Sequence, residues 1–260
     1  MKKSICIEKI FLEKESFYDR FKCVADAGYD YLEFACWSNR DVKRIKELCE
    51  QFNLKIACFS GDCKASIIIP EEREEFLDYL GKSIETANYL GVKNLVIHSQ
   101  AMDEFGAFTS VGLELDDVTK IASATRTMYE AAKMAEAGGV TLVMEAVNNI
   151  SKKGYYMTKT IYTGNICKII NSPNLKILYD IWHMQQMEGN MVTTLRKYAD
   201  VLGYLHIGDC PERHEPGTGE INFNKIKKVV IDELHYDGFW GFELDPEIDS
   251  DTCVDRIRQF

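Results

Sequence analysis

Four residues able to bind a cation each lie toward the carboxyl end of an apolar run. Glu145 closes TLVME, Asp180 closes KILYD, His206 lies in GYLHIGD and Glu243 lies in FWGFELD. Burying one carboxylate without a partner is costly, and three side by side would be far worse, so a positive charge is expected among them. Three carboxylates and an imidazole make a hard, mostly oxygen donor set. It suits one divalent metal ion, Mn²⁺ or Mg²⁺ foremost, with Zn²⁺, Co²⁺ or Fe²⁺ also compatible. Each residue alone has a plainer explanation: a solvated glutamate, an aspartate capping the next segment, a satisfied core histidine. Their recurrence at equivalent places on four successive strands favours the metal site.

Other candidates gather around these four. His183 follows Asp180 in DIWH, where it would contact a substrate oxygen or else orient a carboxylate. Arg213 and His214 sit in the loop CPERHEPGTGEINF (210–223). The planar fork of Arg213 suits a substrate carboxylate, the plainer alternative being a pair with Glu212 or Glu215. His98 lies near the end of the run NLVIHSQ and is a further substrate-contact candidate; Glu33 and Glu8 are weaker ones. The stretches 103–117 and 149–160 read as long loops over the site. Their Phe105, Phe108, Tyr155 and Tyr156 form either a water-excluding lid or simple loop packing. The glycines of 210–223 match no phosphate-binding fingerprint.

The elements that must position these residues alternate regularly. Strand-like runs occupy 5–11, 31–37, 55–61, 94–100, 141–148, 176–183, 203–209 and 239–245, most of them apolar throughout, as in strands buried on both faces. Helical spacing lies between them: Phe17, Phe21, Val24 and Ala25; Val42, Ile45, Leu48 and Cys49; and Phe76 to Leu90, ending at a capping Gly91. AGYDYLEF, YLGVKNLVIH, AGGVTLVME and HYDGFWGFE repeat one device, a helix ending near glycine and a strand beginning within a few residues. Eight such units in 260 residues predict a single α/β domain over 1–260, a (β/α)₈ TIM barrel of parallel strands with its site at the carboxyl strand ends. An open doubly wound sheet is the alternative.

Composition narrows the partners. Acidic residues outnumber basic ones 41 to 31, for a net charge of −10, which opposes a broad nucleic-acid or anionic-lipid surface. The amino terminus lacks the apolar stretch of a secretory signal, and no window approaches a membrane span. The nine cysteines are odd in number and scattered, as expected of reduced thiols in a cytoplasmic protein.

The run ILYDIWHMQQMEGN, the run RHEPGTGEINF and the segment GFWGFELDPE resemble the hydroxypyruvate isomerase group of the xylose isomerase-like TIM-barrel superfamily. VMEAVN is shared more widely with ketose 3-epimerases. The resemblance is close over about 140–247 and looser upstream. It implies one divalent metal on Glu145, Asp180, His206 and Glu243, with Glu145 and Glu243 as the acid–base pair and His183 and Arg213 on the substrate. It also implies proton transfer between adjacent carbons of a small hydroxycarbonyl compound, through an enediolate, and a possible homo-oligomer. Two positions depart from the group: members acting on hydroxypyruvate often carry Gln at the place of His206, and PGR at Pro211-Glu212-Arg213. The competing readings are a ketose 3-epimerase or other sugar isomerase, an endonuclease of the same superfamily, and a non-catalytic sugar-binding protein.

Overall fold

The structure is a computed structural model describing residues 1–62, 64–101, 107, 108, 112 and 114–260. Nine short parallel strands form one sheet: β1 (Lys2–Cys6), β2 (Tyr31–Glu33), β3 (Lys55–Ile56), β4 (Cys58–Ser60), β5 (Asn94–Ile97), β6 (Thr141–Glu145), β7 (Leu175–Asp180), β8 (Leu202–Ile207) and β9 (Phe239–Phe242). Their order is β3-β2-β1-β9-β8-β7-β6-β5-β4. β3 and β4 are halves of one expected strand, parted at Ala57, whose N–H donates to the carbonyl of Leu32 at 2.8 Å. β3 pairs with β2 and β4 with β5, so the two ends of the sheet belong to one stave. The ring is thus nearly closed with eight staves. This is the expected barrel and not the open sheet.

Side chains alternate along each stave, and that period builds the site. Ala57, Cys58, Val96, Val143, Leu178 and Tyr204 pack together as one apolar layer. Two residues further along β6, β7 and β8, the same face carries Glu145, Asp180 and His206. On the last stave the sequence of that face is Phe239, Gly241, Glu243. Register sets Asp180 opposite His206, while Glu145 pairs with Leu178 and His206 with Gly241, so Glu145 and Glu243 stand one side-chain repeat before and after that pair on the same face. The other strand face packs against the helices in a large apolar core.

Helix ends follow their local chemistry. Asp41 caps the helix Val42–Phe52 and Asp116 caps the helix Asp117–Gly138 by accepting a backbone N–H three residues on, while Gly91 ends the helix Arg73–Leu90 in the left-handed conformation at φ 75°. The strands are shorter than the apolar runs that mark them, as at Glu33, Ile97 and Glu145, and two of the runs show why. The run 176–183 ends as a strand at Asp180, whose carboxylate caps a short helix over Ile181–Met187. The run 5–11 is a strand only to Cys6. Ile7, Ile10 and Phe11 are buried, but in a turn, so their apolarity reflects packing and not pairing.

Candidate active site

A cavity of about 510 Å³ opens at the carboxyl strand ends, lined among others by Glu33, His98, Glu145, His183, His206, Arg213 and Glu243. One donor atom from each of Glu145, Asp180, His206 and Glu243 lies within 4.8 Å of the other three. His206 Nδ1 is 3.1 Å from Glu243 Oε2, 3.7 Å from Glu145 Oε1 and 3.9 Å from Asp180 Oδ2. Glu145 Oε1 and His206 Nδ1 are buried and complete no hydrogen bond. Buried polar atoms left without partners at the centre of such a cluster fit a divalent cation. Burial pushes the Glu145 carboxyl up, but the adjoining His206 and His98 imidazoles outweigh it and hold the group well below the usual carboxylate range. Glu243 is likewise held low, against burial, by Arg213 and then His206.

Two buried groups brace this cluster from the side and from beneath. His98 stands between Asp62 and Glu145, with Nδ1 3.1 Å from Asp62 Oδ1 and Nε2 3.2 Å from Glu145 Oε2. Burial opposes its charge, yet the two carboxylates push its pKa up to about 10, so it is an imidazolium. Below His206, Glu33 Oε1 lies 3.2 Å from Nε2, while Glu33 Oε2 accepts from the Tyr204 hydroxyl at 2.5 Å and the Cys58 thiol at 3.8 Å. Glycine at 241 makes this possible, since a Cβ there would collide with the Glu33 carboxylate. The arrangement is a carboxylate behind a candidate metal-ligating histidine.

His183 is 3% exposed and approaches Asn148 through Nδ1, 2.7 Å from the amide nitrogen. Burial lowers its pKa. Arg213 Nη2 bonds Asp180 Oδ2 at 2.8 Å and also Glu243 Oε2, and Nε donates to the Glu243 carbonyl at 2.7 Å. The guanidinium stacks on Trp182 at 4.6 Å, leaving Nη1 toward His183 Nε2 at 3.5 Å. Its partners are therefore neither Glu212 nor Glu215. The loop that presents it is gathered by buried Asp209, which accepts the backbone N–H groups of Cys210, Gly217, Gly219 and Ile221. His214 bonds the Asp245 carbonyl and is not among the cavity-lining residues.

Of the loop aromatics, Phe108 lines the cavity and packs on Tyr155 and His98 with centroids 4.6 and 5.1 Å away. The Tyr155 hydroxyl donates to the Glu145 carbonyl at 3.1 Å, bracing the strand end. Tyr156 donates instead to Asp117, and Phe105 lies outside the described residues. The described cysteines are free thiols. Sequence reasoning passed over Asp62, Asn148, Tyr204 and Asp209, which touch the site through other residues. Their one visible signal is a polar residue two to four positions beyond an apolar strand residue or, for Tyr204, two before a candidate ligand on the same face.

The model of the family described as Xylose isomerase-like TIM barrel matches residues 21–258. The hydroxypyruvate isomerase of Escherichia coli (strain K12) is 30% identical over 243 residues, 91% of this chain and 90% of that protein. A 2-oxo-tetronate isomerase of Cupriavidus necator is 29% identical over 95% of this chain and 94% of its own length. Among solved structures, one titled AP endonuclease, family 2, from Brucella melitensis superposes with a TM-score of 0.89 over 100% of this chain and 98% of that one, at 22% identity. At that identity the likeness is one of fold. With its barrel, its strand-end cluster and this match over nearly its whole length, the chain belongs to the Xylose isomerase-like TIM barrel family.

Proposed function

We propose that the chain is an isomerase that moves a proton between adjacent carbons of a small hydroxycarbonyl acid, hydroxypyruvate or a related 2-oxo acid, through an enediolate. The convergence of Glu145, Asp180, His206 and Glu243 at the mouth of the nearly closed barrel carries this reading. The relatives support the chemistry, since both are named isomerases of small 2-oxo acids. The net charge of −10 favours a small-molecule substrate over nucleic acid or an anionic membrane surface, in a cytoplasmic enzyme. No helix among the described residues is long and apolar enough to cross a membrane.

The four cluster residues would hold one divalent ion, Mn²⁺ or Mg²⁺ by donor type, whose charge acidifies a C–H bond beside a carbonyl when bound. The chain's own groups do the rest. Glu145 is fixed by His98 through Oε2, and Glu243, with a side chain 25% exposed, is the most accessible of the four. One of these carboxylates removes the proton, and the same or the opposite one returns it. His183 and Arg213 meet the substrate oxygens, and the Phe108 ring walls the cavity against water.

A ketose 3-epimerase is the second reading. It is favoured by the imidazole at 206 and by Arg213, whose Nε and Nη2 are already committed within the protein. One assay separates them. Protein loaded with Mn²⁺ is incubated in D₂O with hydroxypyruvate, 2-oxo-tetronate and a panel of ketoses. Deuterium entering the 2-oxo acids supports the leading reading, exchange confined to ketoses favours the epimerase, and exchange in neither ends both.

A further inference from the structure

Asn148 is completely buried at the end of the segment that follows Glu145. Its Oδ1 accepts three hydrogen bonds, from the backbone N–H of Ile150 at 3.0 Å, the backbone N–H of Ser151 at 2.8 Å and the Ser151 hydroxyl at 3.0 Å. Backbone N–H groups only donate, so the amide oxygen must face them, and the NH₂ must face the other way. That direction leads to His183 Nδ1 at 2.7 Å, which the backbone N–H of Asn148 also approaches at 3.3 Å. Two donors on one ring nitrogen require its lone pair.

We infer that Asn148 is a positioning residue that fixes His183 as the neutral tautomer with its proton on Nε2. His183 then offers the cavity a donor and never a lone pair. With the proton on Nε2, the 3.5 Å approach of Arg213 Nη1 becomes donor to donor, and the nearest carboxylate oxygens to Nε2 are 3.8 Å away. Two N–H groups converging without an acceptor between them form a receptor for one oxygen with two lone pairs, a carboxylate oxygen or a carbonyl oxygen gaining charge. The consequence for turnover rests on the isomerase reading; the tautomer does not.

The test is a long-range proton–nitrogen correlation spectrum of the full-length protein labelled with ¹⁵N-histidine, without substrate. His183 is assigned by the signal lost in His183→Gln. The expected wild-type spectrum shows Nε2 protonated and Nδ1 bare. Asn148→Asp keeps an oxygen for Ile150 and Ser151 but sets an acceptor against Nδ1, so the proton should move to Nδ1. In the exchange assay that variant should lose about 10²-fold in kcat, the scale of removing one donor to a developing oxyanion. A wild-type ring protonated on Nδ1, or a ring unchanged by Asn148→Asp, overturns the inference. An inactive wild type with the expected spectrum counts against the isomerase reading alone.

Discussion

Replacing Arg213 with Met tests how the anionic cluster is balanced. Methionine can keep the apolar stacking on Trp182 while removing the charge that Arg213 gives to Asp180 and Glu243. Breaking a buried pair by deleting one partner costs about 3–5 kcal/mol, because the remaining charge stays buried. Asp180 is 1% exposed but Glu243 is 25% exposed, which argues for the lower end, about 3 kcal/mol. At this chain length each kcal/mol moves the melting temperature by roughly 2 °C, so metal-free Arg213→Met should melt about 6 °C below wild type. Added Mn²⁺ supplies positive charge to the same oxygens, and the variant should therefore gain more from it than wild type does. The assay is calorimetric melting after chelation, with and without the ion. A variant that melts at the wild-type temperature without metal would show that Arg213 does not balance these carboxylates.

Further outcomes follow from the same geometry. Glu33→Gln should weaken Mn²⁺ binding by about 10–100-fold in titration calorimetry, because His206 loses the carboxylate behind it. Gly241→Ala, which pushes on that carboxylate, should weaken it in the same direction. Glu243→Gln should leave the far-ultraviolet dichroism of the fold intact and abolish deuterium exchange; an active variant would remove Glu243 from the acid–base pair. The folded pKa of His98, about 10, stands above its unfolded value near 6.5. Its contribution to stability is therefore full below about pH 6.5 and lost as pH rises toward 10. Asp62→Asn should flatten that dependence in denaturant titrations across the same range.

The barrel and its strand-end polar residues were legible because both arise from local rules. Apolar runs mark staves buried on two faces, and the period of two puts a candidate ligand directly above an apolar residue, as with Leu178 and Asp180 or Tyr204 and His206. Helix ends at Gly91 and Gly139 were equally visible, since glycine adopts the left-handed conformation they need. Strand ends were harder. DIWH reads as a continuous strand, yet the Asp180 carboxylate captures the His183 N–H and turns the chain into a helix. The first strand was displaced because a buried turn can be as apolar as a strand. Glu33 carried a weak signal alone, as its role depends on Tyr204, Cys58, His206 and the space above Gly241, contributed by three other staves. The committed hydrogen bonds of Arg213 depend on the loop shaped by Asp209, which no spacing rule describes.

Titration calorimetry of chelator-treated wild-type protein with Mn²⁺, repeated with Asp180→Asn, bears most directly on the strand-end cluster. Asp180 is buried, caps a helix through Oδ1 and offers Oδ2 to the cluster, so asparagine retains the cap while weakening the ligand. About one equivalent of Mn²⁺ should bind the wild type, and the variant should bind it far more weakly. No binding to wild type, or equal binding to both proteins, would contradict the assignment of these four residues as a single cation site.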